Sequence, residues 1–324
     1  MKLISPDQRF VVFGARGMAG SAIYRALKKN GFNNILAPLR EDLDLEDIYC
    51  VRSWFREYKP EVVILAAAKV GGIYANNNFP ADFILKNLKI QNNVIESSWK
   101  ENVSKLLFLG SSCIYPKFAK QPINEEELLK GALEPTNQWY AIAKIAGIKL
   151  CQALKKQHNF NAISLMPTNL YGPGDNYHPL NSHVLPSLIR RFYEAKLKGD
   201  KIVTCWGTGE PLREFLHVDD LGDACIFALD NLDPFNEILL KDSNNEFLPF
   251  LNVGTGEDIS IRELAKLISH IIGFEGEILW DKSKPDGTPK KQLNVDRINK
   301  LGWSSKISLK QGLEKTIKHF KENY

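Results

Sequence analysis

The sequence predicts an α/β fold: a doubly wound parallel sheet with helices on both faces, carrying a smaller α/β lobe. Three observations lead there. Short β-branched and apolar runs alternate with helical stretches through the first half. Val62-Val63-Ile64-Leu65 and Leu106-Leu107-Phe108-Leu109 are apolar at every position, as strands covered on both faces must be. A glycine-rich turn joins the first such run to the first helix.

The first strand is Phe10-Val11-Val12-Phe13, which runs into Gly14-Ala15-Arg16-Gly17-Met18-Ala19-Gly20 and a helix over 21–30 closed by Gly31. Residues 35–40 bring a second strand to its tip, and Ala162-Ile163-Ser164-Leu165-Met166 reads as a further one. A helix over Ile261–Ile272 opens with a capping box, Ser260 with Glu263, and carries apolar residues at Ile261, Leu264, Leu267, Ile268 and Ile271. From about Tyr171 the alternation breaks. Gly, Pro, Asn and His dominate 172–186, and 282–291 is a second Pro/Gly/Lys-rich loop. These segments read as a smaller lobe that closes over a substrate. The expected division is 1–174 plus about 214–248 for the sheet domain, its second part returning to the main sheet, and about 175–213 plus 249–324 for the lobe.

At 324 residues the chain can bury one large core with an appended lobe. Its 44% hydrophobic and 25% charged residues exclude a disordered or fibrous chain. The net charge of +4 is mild, with Lys and Arg interleaved with Asp and Glu, so no nucleic-acid-binding face is expected. Cys50, Cys113, Cys151, Cys205 and Cys225 are odd in number and lack Cys-x-x-Cys spacing. That pattern argues for a reducing compartment and against a disulfide framework or a metal site. The N-terminal residues carry no apolar run long enough for a signal peptide, and the run 62–68 is too short to span a bilayer. A cytoplasmic protein is expected.

Gly14, Gly17 and Gly20 keep Gly-x-x-Gly-x-x-Gly spacing between a strand and a helix, the Rossmann-type arrangement. The first glycine permits a tight turn, the second lets backbone approach a pyrophosphate, and the third allows close packing. The helix N-terminus adds N–H donors and a positive dipole end. At the tip of the second strand, where an acidic residue would bind a ribose 2′-hydroxyl, stands Arg40, and Arg16 lies in the loop itself. Two guanidinium groups suit a 2′-phosphate, which points to NADP(H). A surface pairing of Arg40 with Glu41 or Asp42 is the alternative.

Tyr140 and Lys144, four apart among good helix formers, fall on one helical face. A tyrosine with a pKa of about 10 needs a nearby positive charge to exchange protons at neutral pH, and Lys144 is placed to supply it. The strand 106–109 ends in Gly110-Ser111-Ser112-Cys113-Ile114-Tyr115, where hydroxyls face the ligand crevice. A serine there can donate to a substrate carbonyl beside the tyrosine. Glycine loop, Ser, Tyr and Lys in this order are the signature of short-chain dehydrogenase/reductases.

A narrower resemblance rests on six blocks: 14–23, Ala66-Ala67-Ala68-Lys69-Val70-Gly71-Gly72-Ile73, Gly110-Ser111-Ser112-Cys113-Ile114-Tyr115-Pro116, Pro167-Thr168-Asn169-Leu170-Tyr171-Gly172-Pro173, Asn181-Ser182-His183-Val184 and Lys284-Pro285-Asp286-Gly287-Thr288-Pro289. From about residue 10 to about 320 the chain resembles the GDP-L-fucose synthase family of extended short-chain dehydrogenase/reductases. Ala15 departs from the histidine usual there, at a position dominated by backbone contacts.

The resemblance implies 3,5-epimerisation of a GDP-linked 4-keto-6-deoxy sugar followed by NADPH-dependent reduction at C4, carried out by a homodimer. It makes Cys113 the base and His183 the acid on the opposite sugar face, with Ser111 and Tyr140 stabilising the oxyanion and Tyr140 donating the final proton. A thiolate is available near neutral pH when a positive charge favours it, and histidine titrates in that range. It places Gly14, Arg16, Gly17, Met18, Gly20, Arg40, Leu109, Gly110, Ser112, Lys144, Pro167, Asn169 and Leu170 on the cofactor. On the substrate it places Asn169, Arg191, Trp206, Arg213, Asp286 and Lys291: the cations suit a diphosphate, and Asp286 suits the guanine N–H edge. Lys290, adjacent to Lys291, is an alternative.

Three other readings stay open at this point. A related GDP-keto-heptose or deoxyhexose reductase would keep the fold with an altered substrate. A 4,6-dehydratase or 4-epimerase with resident NAD is disfavoured by Arg16, Arg40 and the Cys113/His183 pair. A non-catalytic NADP-binding sensor would be expected to lose Tyr140 or Lys144, and both are present.

Overall fold

The apolar runs that read as buried strands fall into one parallel sheet. The computed structural model describes residues 3–179, 181–233, 241, 248, 250–284 and 286–324. Its elements begin with β1 (Phe10–Phe13), α1 (Met18–Lys29), β2 (Ile35–Leu36), α2 (Ile48–Tyr58), β3 (Val62–Leu65), α3 (Ile73–Asn78), α4 (Pro80–Lys100) and β4 (Lys105–Leu109). Next come α5 (Gln138–His158), β5 (Ala162–Pro167), β6 (Asn169–Tyr171), α6 (Val184–Lys198), β7 (Ile202–Trp206), β8 (Leu212–His217) and α7 (Val218–Asn231). The chain ends with β9 (Phe250–Val253), β10 (Asp258–Ser260), α8 (Ile261–Ile272), β11 (Glu277–Asp281), β12 (Lys290–Lys291), α9 (Asp296–Lys300) and α10 (Leu309–Asn323).

The large sheet has the order β2-β1-β3-β4-β5-β9 and is parallel throughout. From β1 the chain moves outward to β2, then crosses to β3 on the other side of β1. The switch between β1 and β3 opens a crevice at their carboxyl ends. β1, β3 and β4 are buried at every position, and each such Val, Leu or Phe contributes about 1.5–3 kcal/mol. Even Lys105 of β4 is inside. Its ammonium donates to the carbonyls of Leu229 (2.7 Å) and Leu232 (2.8 Å) at the C-terminus of α7, and burial lowers its pKa to about 8.

A smaller sheet centres on β8, which pairs antiparallel with β10 and parallel with β12 and β6. β7 and β11 form a separate parallel pair. A second apolar cluster gathers Leu188, Ile189 and Phe192 of α6, Leu264 and Ile268 of α8, and Leu313 and Ile317 of α10. The expected capping box is in place: the Ser260 hydroxyl accepts the Glu263 N–H at 3.1 Å, and α8 ends at Gly273 in the left-handed region.

Local details depart from the sequence reading for identifiable reasons. α1 starts at Met18, because Gly17 is the extended N-cap residue. Gly20 sits in the first turn, where a Cβ would come within 2.1 Å of the Gly14 carbonyl oxygen. β2 is two residues long, and Pro38, which has no N–H for the ladder, lies in the loop that carries on to Arg40. β9 belongs to the large sheet although it falls in the segment expected for the lobe; its four residues are buried. β8 joins the smaller sheet, whereas α7 after it packs against α1 on the large one. Pro285, and most of 234–247 leading to the expected boundary near 248, lie outside the described residues. Among the described residues no helix is long and apolar enough to cross a membrane, and no cluster of His, Cys, Asp and Glu has the arrangement of a metal site.

Candidate active site

A cleft of about 1050 Å³ runs from the glycine loop across the carboxyl ends of β1, β3 and β4 to the smaller sheet. At one end Gly14, Arg16, Gly17, Met18 and Gly20 line it, with Arg40 beside them. Gly14 takes φ +87°, and a Cβ there would lie 2.7 Å from the Ala67 amide nitrogen. No side chain caps α1, so its first-turn N–H groups are left for an anion. A dinucleotide pyrophosphate fits this cradle.

Arg16 and Arg40 both make surface ion pairs, but not the Arg40 pairing with Glu41 or Asp42 that the sequence offered as the alternative. Arg16 lies 3.1 Å from Glu41 and Arg40 3.6 Å from Glu46. With Arg16 72% and Arg40 85% exposed, these pairs are worth at most about 1 kcal/mol and give way readily to a phosphate dianion.

The chemistry is concentrated where β4 ends. Ser111 caps a one-turn 3₁₀ helix, its hydroxyl accepting the Cys113 N–H at 3.2 Å, and this fixes the turn that presents Cys113. Gly110, Ser111, Ser112 and Cys113 line the cleft, and the Ser111 hydroxyl is hydrogen-bonded to Tyr140. As the helical spacing requires, Tyr140 and Lys144 share one face of α5. Lys144 is 3% exposed, donates to the Leu109 carbonyl at 2.7 Å and sits 4.7 Å over the Phe108 ring. Leu109 and Lys144 thus stand behind the cleft wall, whereas the other expected cofactor residues, Pro167, Asn169 and Leu170 included, line it.

The expected depression of the Tyr140 pKa is not what the structure gives. Enclosure of its hydroxyl pushes the pKa up, the charge of Cys113 adds to this, and the Ser111 bond opposes both. The reason is Lys144 itself. Burial lowers its pKa to about 7, so near neutral pH it holds only part of its charge, and its amine is turned to a carbonyl.

Cys113 is half-buried, and its sulfur accepts from the Lys291 ammonium at 3.4 Å and the Asn137 amide at 3.6 Å. Lys291 stands in β12 in register with Arg213 of β8, so two cations face one another across adjacent strands. Like charges so placed repel unless an anion lies between or beside them. Lys290 points the other way, 3.0 Å from Asp258, because neighbours along a strand face opposite sides. That alternation decides between the two lysines: Lys291 lines the cleft. His183, the N-cap residue of α6, is exposed to the cleft, within the enclosure that its walls form. The enclosure lowers its pKa, and the charge of Lys291 lowers it further.

The far wall carries the remaining residues. Trp206 is 54% exposed, so it is cleft wall and not lobe core; the Arg191 guanidinium lies 5.9 Å over its ring and donates to the Thr204 carbonyl. Arg213 donates to the Leu212 carbonyl at 2.8 Å, its pKa lowered by burial against the favourable charges of Cys113 and Asp286. Asp286 already accepts the Thr208 N–H (2.7 Å) and hydroxyl (2.8 Å), which fixes its carboxylate in place. The Asn169 amide donates to the Glu214 carbonyl at 2.8 Å. Asn137 is the residue the sequence reading missed. It occupies the N-cap position of α5, where Asn normally caps, yet makes no capping bond and turns to sulfur instead.

Comparison with known proteins agrees with this geometry. Residues 10–239 match the family described as Epimerase, the NAD dependent epimerase/dehydratase family. GDP-L-fucose synthase 1 of Arabidopsis thaliana is 55% identical over 97% of this chain and 94% of its own. GDP-L-fucose synthase of Escherichia coli K12 is 51% identical over 98% of this chain and 97% of its own. Among solved structures, a GDP-mannoheptose C4 reductase from Campylobacter jejuni with NADP bound superposes with a TM-score of 0.89 at 39% identity, covering 98% of this chain and 99% of that one. The chain belongs to the NAD dependent epimerase/dehydratase family and, within it, to the GDP-L-fucose synthase family.

Proposed function

We propose that the chain converts GDP-4-keto-6-deoxy-D-mannose to GDP-L-fucose by inverting C3 and C5 and then reducing C4 with NADPH. The observation that carries this reading is the meeting of Cys113, Lys291, His183, Ser111 and Tyr140 in one cleft, with the Lys291 ammonium 3.4 Å from the Cys113 sulfur. A simple reductase needs Ser111, Tyr140 and Lys144; it has no use for a thiol held by a cation and an amide. The C4 ketone acidifies the protons on C3 and C5. Cys113, as thiolate, takes one of them, and the electron pair moves to the ketone oxygen, which the Ser111 hydroxyl stabilises. His183, protonated, returns a proton to the opposite face. Its lowered pKa makes the imidazolium a stronger acid than an ordinary histidine. NADPH, when bound, supplies hydride to C4. The Tyr140 hydroxyl delivers the proton to O4, and Lys144 holds the cofactor side of the site.

On the far wall, Arg191 and Arg213 take the diphosphate and Asp286 the guanine edge, with Trp206 beside them. Residues 1–174 with about 214–248, joined by β9, would hold the cofactor, and the rest would form the substrate lobe. Five free thiols suit a cytoplasmic enzyme, and we assign it as a homodimer. Identity above 50% to fucose synthases, against 39% to the heptose reductase, supports the deoxyhexose. The test is incubation with GDP-4-keto-6-deoxy-D-mannose and NADPH, following cofactor absorbance and identifying the product by NMR. GDP-L-fucose is the expected product. A product reduced at C4 without inversion, or preference for a GDP-keto-heptose, would overturn the assignment.

A further inference from the structure

Behind the two cations of the far wall lies a carboxylate that the mechanism above does not use. Glu214 follows Arg213 in β8 and therefore points to the opposite side of the smaller sheet, where it is 0% exposed. One carboxylate oxygen accepts the N–H groups of Thr255 (2.6 Å) and Gly256 (2.9 Å); the other accepts the N–H of Leu293 (2.8 Å). Among the described residues no cation pairs with it; backbone donors hold it, with the Thr168 hydroxyl beside them. A Cβ at Gly254 would come within 2.0 Å of its oxygen, so the loop is shaped around it. A carboxylate removed from water without a counter-cation is costly. Two of its three bonds hold the 255–256 turn, and the third holds Leu293, two residues beyond Lys291 at the end of β12.

The same segment is held from its other side. Gln292 N–H donates to the Gln121 side chain at 2.9 Å, the Ile123 N–H donates to the Gln292 carbonyl at 2.8 Å, and the Gln292 side chain donates to the Gly256 carbonyl. Residues 121–123 lie eight to ten positions after Cys113, and Ile123 is bridged to Leu293. The chain around Lys291 is thus clamped between the Cys113 side and Glu214. We propose that Glu214 is a positioning residue which, by holding Leu293 and the 255–256 turn, keeps the Lys291 ammonium at the Cys113 sulfur and so sets the reactivity of that thiol. The proposal rests on the reading of Cys113 as the base, but its test needs no turnover.

The test is the rate of Cys113 alkylation by iodoacetamide in the full-length protein, read by peptide mass spectrometry, with the exposed Cys50 as internal reference. In Glu214→Gln the side-chain amide sets a donor against a backbone N–H. Relative to Cys50, Cys113 should then react about threefold to tenfold more slowly at neutral pH, and the deficit should close in alkaline buffer. Lys291→Met should slow it at least as much, and the double variant should be no slower than Lys291→Met alone. A folded Glu214→Gln protein whose Cys113 reacts at the wild-type rate overturns the proposal. So does an undiminished Glu214→Gln effect in the Lys291→Met background, which would mean that Glu214 acts on the fold at large. If Glu214→Gln has no cooperative melt, Glu214→Asp, which keeps the charge on a shorter stem, should show a smaller slowing, and no slowing there counts equally against it. A Lys291→Met protein with wild-type Cys113 reactivity overturns it by itself. Failure of the sugar assignment would leave these rates unchanged, so the two readings fail separately.

Discussion

On the wall carried by the large sheet, the reacting groups are fixed by burial and by bonds to the backbone next to them. Lys144 is locked to the Leu109 carbonyl, Ser111 caps its own turn, and Tyr140 is enclosed with it. Across the cleft, Arg191 stands on α6 and Trp206, Arg213 and Asp286 on short strands and loops, partly open to water and tied to one another or to nearby carbonyls and hydroxyls. The first wall has shifted proton affinities; the second has charge and surface. A group that moves protons needs an environment different from water, which burial provides. A group that grips a diphosphate needs its charge intact and room to adjust. Lys291 belongs to the second wall by its strand and to the first by its contact with Cys113.

If the walls divide the labour this way, removing the tyrosine hydroxyl should cost most. Tyr140→Phe is expected to lower NADPH oxidation about 10²–10⁴-fold while leaving deuterium exchange at the sugar ring, since Cys113 and His183 are untouched. NMR in D₂O beside an absorbance assay separates the two, and equal loss of both would merge the walls into one function.

The next effect concerns stability. The unfolded Lys144 amine keeps its proton to about pH 10.4, whereas the folded one releases it near 7. Between those values the unfolded chain binds the extra proton, so this residue makes stability rise with pH. Lys105, lowered to about 8, adds to the slope. Lys144→Met should flatten the pH dependence of denaturant unfolding above neutral pH; an unchanged slope would show that Lys144 is not charged-disfavoured in the fold.

At the cofactor end the expected changes are smaller. Arg40→Ala should weaken the preference for NADPH over NADH by about 1.5–3 kcal/mol, the worth of a charged hydrogen bond, and equal use of both cofactors by the unaltered enzyme would contradict the 2′-phosphate assignment. Glu46→Gln should do least. It frees Arg40 from an exposed pair worth about 0–1 kcal/mol, so the NADPH Michaelis constant should fall by no more than about fivefold. A rise would mean that the pair orients the arginine.

The first wall was the more legible in sequence. Its glycine loop and the four-residue spacing of Tyr140 and Lys144 are local patterns, and local sterics and hydrogen bonds decide them. The proton affinities were not legible. Spacing put Lys144 beside Tyr140, but the carbonyl it would turn to, and its depth, depend on how α5 packs on β4. The second wall depends on register. Whether Lys290 or Lys291 faces the cleft follows from the pairing of β12 with β8, which joins residues nearly eighty positions apart. Glu214 is held by N–H groups 41 and 79 positions away in sequence. β9 escaped because it is only four residues long with Asn252 among its apolar residues, and only its partner β5 makes it a strand of the large sheet.

The central claim is that Cys113, held by Lys291 and Asn137, performs the carbon-acid chemistry separately from reduction at Tyr140. It is tested most directly by deuterium wash-in from D₂O at C3 and C5 of the keto sugar with Cys113→Ser. The serine hydroxyl is a far weaker base than a thiolate, so wash-in should be nearly abolished, and any NADPH-dependent product should keep its original C3 and C5 configuration. Exchange at the wild-type rate in that variant would show that the base is another group and that Cys113 is a structural thiol.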